Sequence, residues 1–202
     1  MNNLFELQFV DCNIDPAIEH MFSQLIMKDS QLFGIPIQSS PFRIPVLILN
    51  RNDFNIQLEK TPLTRFGATD CLAFSTSCIY VLSYQQLYSN VRRTHYLKAI
   101  RHECIHLLQH LTSKVPPHEM IWLYESVACT IAKQHQRFPI NPPTWVNFTR
   151  NFYANTDCYS TAYHFGKALL EIYPLCDLIA LSVRKKDCLQ ASRRIYKMTF
   201  NK

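Results

Sequence analysis

Apolar residues recur at a helical spacing in several stretches of the chain, and each stretch predicts a helix. The first covers residues 15–28, where Asp15 can cap the helix and Pro16 suits its first turn. A short helix is expected from Asn52 or Asp53 to about residue 58. Five longer or later helices are predicted over 91–112, 119–135, 144–154, 158–173 and 175–199, the last with a break near Lys185.

Three short apolar runs, 45–50, 69–74 and 78–83, predict strands, and Ser75-Thr76-Ser77 between the last two indicates a hairpin. A helix, a small mixed sheet with this hairpin and then a group of helices together predict an α+β fold. We find no repeat or linker that requires a second domain. The expectation is one domain over 1–202, with an N-terminal helix and connection (1–44), a sheet and long helix (45–115), and a helical part (116–202).

The composition is that of a folded globular protein, because 48% of the residues are hydrophobic and only three are glycine. The first twelve residues contain Glu6 and Asp11 and no basic cluster, which is unlike a secretory signal. The longest apolar runs are too short to cross a bilayer, so we expect a cytoplasmic protein. Eight cysteines without a CxxC pair allow disulfides, but reduced and mostly buried thiols are the favoured interpretation.

The net charge of +6 resides in the C-terminal segment 182–202, where seven basic residues stand against one acidic residue, Asp187. A basic tail of this kind can contact an anionic partner, such as phosphates or an anionic membrane face. The alternative, a solvated helix face, is favoured because no nucleic-acid-binding motif accompanies it. The basic residues are Arg184, Lys185, Lys186, Arg193, Arg194, Lys197 and Lys202.

The stretch RHECIHLLQH, residues 101–110, contains the strongest chemical signal in the chain. His102 and His106 are four residues apart, so on a helix they lie on one face and can present two imidazoles to one zinc ion. Glu103 is rotated roughly 100° from His102, which places its carboxylate beside the metal as a general base. A solvated amphipathic helix face is the alternative explanation for the same residues.

A catalytic zinc commonly takes a third protein ligand. His110 lies too far along the same helix, and the metzincin pattern fails because Gln109 and Thr112 stand where it requires glycine and histidine. The better candidate is Glu125 on the next predicted helix, which a short connection can bring opposite the two histidines. Eighteen residues separate His106 from Glu125.

Two cysteines lie close to these residues in the sequence. We expect Cys104 and Cys129 to pack between the two helices. A thiolate ligand is conceivable for either cysteine, but neither is required once Glu125 is placed.

With HECIH, this spacer and Glu125 followed by Ala128 as ExxA, the chain resembles the gluzincin metallopeptidases. WLYES is similar to the Trp-Leu-x-Glu-Gly stretch of peptidase-MA-like domains, with Ser126 where glycine is usual. Segments 45–54, 67–83 and 158–174 resemble the strand, hairpin and later helix of such domains. The resemblance implies a zincin-like fold of minimal size and one zinc ion held by His102, His106 and Glu125.

The activity implied by the resemblance is hydrolysis of a peptide bond. Zinc lowers the pKa of a bound water from about 15.7 toward roughly 7, and Glu103 takes its proton and passes it to the leaving amine. A further donor must stabilise the oxyanion. The candidates are Tyr159, Tyr163 and His164 on the following helix, with Tyr163 preferred.

In such domains the edge strand of the hairpin lies along the cleft, which makes Leu72, Ala73 and Phe74 candidate substrate-binding residues. Their backbone can pair with an extended peptide, unless the N-terminal region covers this strand. The Gly-x-Met-Glu-Asn stretch of gluzincin aminopeptidases is absent, so an endopeptidase is expected. The alternatives are a catalytically silent or regulatory binding module with a zincin-like fold, or a regulatory protease that cleaves one repressor. The intact Glu103 favours an enzyme, because a structural zinc site needs no general base.

Overall fold

The structure is a computed structural model that describes residues 4–35, 43–60, 64–65, 72–74, 78–87, 91–113 and 119–200. The chain forms two compact units, Met1–Cys104 and Ile105–Lys202. Their boundary falls inside one continuous helix, so residues on either side of it belong to the same helical element. The predicted single domain over 1–202 stays a prediction.

The first unit contains a five-stranded mixed sheet in the order β1-β2-β5-β4-β3. Strands β1, β2 and β5 are parallel, and β4 is antiparallel to β5 and to β3. The antiparallel pairing of β4 with β5 confirms the predicted hairpin, and the mixture of sheet and helices confirms the α+β class. The strands are β1 (Phe5–Val10), β2 (Ile44–Leu49), β3 (Thr64–Arg65), β4 (Leu72–Phe74) and β5 (Ile79–Leu82).

Strand β4 is an inner strand of this sheet. β3 pairs with it on the side away from β5, with Thr64 opposite Phe74 and Arg65 opposite Ala73. The expectation that residues 72–74 form a free edge of the hairpin is therefore wrong where β3 lies, because the backbone of β4 is already paired there. The assignment of Leu72, Ala73 and Phe74 as substrate-binding residues stays a prediction, and their side chains lie outside the described part of the structure.

The N-terminal helical segment runs further than predicted. It consists of α1 (Pro16–His20), a π-helical stretch (Met21–Ile26) and α2 (Met27–Leu32). The Asp15 carboxylate accepts hydrogen bonds from the backbone amides of Ala17 and Ile18, which confirms the predicted cap. The helix predicted to begin at Asn52 or Asp53 is α3 (Arg51–Lys60).

The long helix α4 (Arg93–Thr112) is anchored to the first unit through polar side chains. The Arg101 guanidinium donates two hydrogen bonds, of 2.7 and 2.6 Å, to the buried Asp29 carboxylate of α2. The Tyr96 hydroxyl donates to the carbonyl of Leu82 at the end of β5, at 2.7 Å. These bonds set the rotation of α4 about its own axis, and hence the direction in which its neighbouring side chains point.

The second unit is helical, as predicted, and its core is aromatic. Trp122, Trp145, Phe148, Phe165 and Tyr196 pack together, with Trp122 and Trp145 centroids 5.3 Å apart and Phe148 and Tyr196 centroids 5.1 Å apart. The break expected near Lys185 falls between the last two helices. Its helices are α5 (Ile121–Ala132), α6 (Trp145–Arg150), α7 (Cys158–Ile172), α8 (Leu175–Ser182) and α9 (Lys185–Phe200), with a 3-10 turn at Phe152–Ala154.

Helices α5 and α7 approach each other closely at Gly166. A Cβ atom at this position would lie 2.2 Å from the Ser126 carbonyl oxygen and 2.4 Å from Thr130 Oγ1. The Thr130 hydroxyl also donates to the carbonyl of Tyr163 on α7, at 3.1 Å. The two backbones are thus in direct contact, which only a residue without a side chain permits at position 166.

The basic residues of α9 are exposed, whereas Cys188, Ser192, Ile195 and Tyr196 lie on its buried face. This arrangement agrees with the solvated helix face, and an anionic partner stays a prediction. Among the described residues, no helix is both long and apolar enough to cross a membrane. No disulfide links the seven described cysteines, and five of them are buried, as expected.

Candidate metal centre

The two histidines of the HExxH motif lie one turn apart on α4, as predicted. Both are buried, with 6% of His102 and 5% of His106 exposed, and Glu103 between them is buried as well. A solvated helix face is therefore the wrong explanation for these residues. Burial of three polar side chains on one short stretch of helix is costly unless they interact with each other or with a bound ion.

Glu125 lies in the middle of α5, where most side chains are buried, and only 3% of it is exposed. Its Oε1 atom lies 3.7 Å from Nε2 of His106. The structure therefore brings together the glutamate and the histidine that the spacing of the motif had suggested, although they are far apart in sequence.

Cys129 follows Glu125 by four residues and lies one turn further along α5. One ligand atom each from His102, Glu125 and Cys129 lie within 4.8 Å of one another, and all three residues are buried. This group could hold a metal ion. His106 is not part of this mutually close group, and its link to the group is the 3.7 Å approach to Glu125.

The orientation of His106 is set by a hydrogen-bonded chain. The Gln109 side chain donates from Nε2 to the carbonyl oxygen of Tyr124, at 3.0 Å. Its Oε1 atom consequently faces Nδ1 of His106, at 2.8 Å, and accepts the proton of that nitrogen. The lone pair of the imidazole is thereby assigned to Nε2, the atom that approaches Glu125. Histidines that bind metals commonly have their other ring nitrogen fixed in this way.

Two tyrosines lie near Glu125. The Tyr153 hydroxyl donates to Glu125 Oε1 at 3.1 Å, although more than half of Tyr153 is exposed. Burial raises the pKa of Tyr159, and the nearby Glu125 carboxylate raises it further. The ring of Tyr159 also stacks on His135, with centroids 5.0 Å apart. Of the predicted oxyanion donors, Tyr159 is thus the one with a described interaction with Glu125.

The other two oxyanion candidates contact a different part of the second unit. The Tyr163 hydroxyl accepts a hydrogen bond from Gln136 Nε2 at 3.4 Å, and His164 Nε2 lies 3.1 Å from the Gln136 carbonyl. Their role as donors stays a prediction. Burial lowers the pKa of His110, and the electrostatic interaction with His106 lowers it further. Its ring meets that of Tyr124 edge-on.

The donor types fit a transition metal with a preference for nitrogen and sulfur. Imidazole, carboxylate and thiolate groups are the side chains that bind zinc in proteins. Glu103 and Glu125 are both buried carboxylates, and a bound dication offsets the cost of removing their charge from water.

Comparison with protein families, with curated proteins and with solved structures gives no match to this chain.

Two residues around Glu125 and His106, Gln109 and Tyr153, were not considered as part of the site from the sequence. Cys129 was considered as a conceivable thiolate ligand but not required, although its position four residues after Glu125 on a predicted helix puts the two on one face. Gln109 had a weaker signal, three residues after His106. Nothing in the sequence marked Tyr153, which comes from the 3-10 turn before α7.

Proposed function

We propose that this chain is a zinc-dependent metallopeptidase of the gluzincin type with a zincin-like fold, acting as an endopeptidase in the cytoplasm. His102, His106 and Glu125 are its zinc ligands in this proposal. The observation that carries it is the convergence of both histidines on one buried carboxylate. His106 Nε2 lies 3.7 Å from Glu125 Oε1, and His102 shares a mutually close donor group with Glu125.

The protein side chains then have separate tasks. When bound, zinc supplies Lewis-acid activation of a water molecule. Glu103 accepts a proton at its carboxylate and delivers it to the nitrogen of the leaving amine. Its position beside His102 on the same buried stretch of helix supports this task.

The tyrosines near Glu125 can stabilise the negative charge that develops on the carbonyl oxygen of the substrate. Tyr159 suits this task because its raised pKa keeps the hydroxyl protonated. Tyr153 already donates a hydrogen bond to Glu125, so its first effect is to hold that carboxylate in position. Tyr163 remains the donor preferred from the sequence.

The test measures metal content and peptide cleavage separately. Purified protein is assayed for zinc by mass spectrometry and incubated with a proteome-derived peptide library. We expect one zinc ion per chain, lost in His106→Ala and retained in the matched control His110→Ala, which removes an imidazole one turn further along α4. In Glu103→Gln, zinc should remain while cleavage disappears. Cleavage by Glu103→Gln at the rate of the unchanged protein would contradict the proposal.

A second candidate is a binding or regulatory module with a structural metal. Cys129 favours it, because a fourth protein donor near His102 and Glu125 gives the donor count of closed structural sites. In that case removal of the metal should reduce the thermal stability of the protein, and no peptide of the library should be cleaved. The Glu103→Gln variant would then be indistinguishable from the unchanged protein.

A further inference from the structure

Cys129 differs from the other described cysteines in what surrounds its sulfur. It is completely buried on α5, and its Sγ lies within 4.8 Å of a ligand nitrogen of His102 and a carboxylate oxygen of Glu125. Cys188, which is equally buried, lies instead against the hydroxyl of Ser192. Among the described residues, only Cys129 contributes a thiol to a group of close metal-binding side chains.

The helix geometry explains how Cys129 reaches this position. Residues four apart on an α-helix are stacked on one face, so Glu125 and Cys129 both point towards the donors of α4. This face is fixed by the close contact between the backbones of α5 and α7 at Ser126 and Gly166. Rotation of α5 about its axis would break that contact, and the face that carries Glu125 and Cys129 therefore keeps its direction.

We propose that Cys129 is a fourth protein ligand of the metal, which rests on the proposed zinc centre. As the sulfur–metal bond forms, the S–H proton is released to solvent and the thiolate becomes the donor. Zinc is commonly bound by four donors in a tetrahedral arrangement. Two imidazoles, one carboxylate and one thiolate complete this number, so the resting centre is closed and water enters only when one protein donor leaves.

This arrangement makes Cys129 a regulator of the proposed peptidase. Zinc sites with three protein ligands keep the fourth position for water, whereas sites with four protein ligands are structural. When the Cys129 thiolate occupies the fourth position, the site has the four protein ligands of a structural site. When the thiolate leaves, the position is open to water, as in a catalytic site. The side chain that controls access to the metal therefore belongs to the same helix as the ligand Glu125.

The experiment is X-ray absorption spectroscopy at the zinc edge on the full chain loaded with one equivalent of zinc. In the unchanged protein we expect one sulfur neighbour at ~2.3 Å beside nitrogen or oxygen neighbours at ~2.0–2.1 Å. The sulfur neighbour should be absent in Cys129→Ser and present in Cys188→Ser, which removes a thiol of equal burial. A sulfur neighbour that persists in Cys129→Ser overturns the inference, and so does a shell of nitrogen and oxygen alone in the unchanged protein.

The absorption spectrum reports the neighbours of the zinc ion whether or not the protein cleaves peptides. It also does not require any one variant to fold. If Cys129→Ser does not fold, the Cys129→Ala variant and the spectrum of the unchanged protein still decide the question. A nitrogen and oxygen shell removes Cys129 from the centre and leaves the proposed peptidase intact. A sulfur neighbour in a protein that cleaves no peptide supports the inference and contradicts the peptidase. Failure of the unchanged protein to bind zinc overturns both.

Discussion

Gly166→Ala tests whether the contact between α5 and α7 holds the metal-binding face in place. In a helix with free space around it, this substitution is stabilising by about 0.5–1 kcal/mol, because alanine is the better helix former. Here the new Cβ would lie 2.2 Å from the Ser126 carbonyl oxygen and 2.7 Å from its carbonyl carbon. These are backbone atoms, so no side-chain rotation relieves the overlap and one helix must move by about 1 Å.

The change in unfolding free energy of Gly166→Ala follows from the cost of overpacking and the gain in helix propensity, which oppose each other. Overpacking costs about 1–3 kcal/mol, and contact with backbone atoms places this site at the upper end of that range. After subtraction of the gain in helix propensity, the net loss of unfolding free energy is about 2 kcal/mol. For a chain of this length that corresponds to a decrease in Tm of about 4–8 °C. Thermal unfolding followed by circular dichroism measures it.

Gly34→Ala is the matched control. Gly34 has a φ of +67° and no atom within 4 Å of an added Cβ. The substitution therefore carries a cost of about 1–2 kcal/mol for the left-handed conformation, less about 0.4–1 kcal/mol from the restricted unfolded chain. We expect a smaller decrease in Tm than for Gly166→Ala, and unchanged zinc affinity. A Gly166→Ala protein as stable as the unchanged one, with equal zinc affinity, would refute the argument.

Three further substitutions probe the anchoring of α4 and the centre. Asp29→Ala leaves the largely buried Arg101 guanidinium without its carboxylate and should lower the unfolding free energy by about 3 kcal/mol in urea titrations; a loss below about 1 kcal/mol would contradict this. Gln109→Leu releases His106 and should weaken zinc binding about 10–100-fold in competition with a chromophoric chelator; equal affinity would show that the amide does not orient the ring. Cys129→Ala should retain zinc and raise the rate of peptide cleavage, whereas a lower rate with zinc still bound would show that the thiol does not close the site.

The periodicity of apolar residues was sufficient to predict the helices, because the one face that each helix buries places apolar residues at a regular spacing in the sequence.

The strands β1 and β3 were missed for different reasons. β1 (Phe5–Val10) includes the polar residues Glu6 and Gln8, so it lacks a continuous apolar run. β3 contains only Thr64 and Arg65, too few residues for any pattern. Its pairing with β4, eight to ten residues further along the chain, leaves no hydrophobic pattern in two residues, and so the edge of the sheet could not be predicted.

Within the centre, the sequence indicated the ligands that follow a fixed spacing and missed the hydrogen bonds that depend on how helices meet. His102 and His106 are determined by the helical period, and Glu125 by its resemblance to a known spacing. The hydrogen bond from Tyr153 to Glu125 depends on the path of the chain after α6. No local pattern encodes that path, because it is set by the packing of the aromatic core.

The hydrogen bond between the Gln109 amide and the Tyr124 carbonyl has a consequence for how the ion is acquired. It joins α4 to α5 at the level of His106 and Glu125 through protein atoms alone. The conformational entropy of gathering these donors is thus lost during folding, before any ion arrives. We therefore expect the apoprotein to keep its secondary structure and to take up its metal as a preorganised receptor, unlike zinc fingers, which are unfolded until the ion binds.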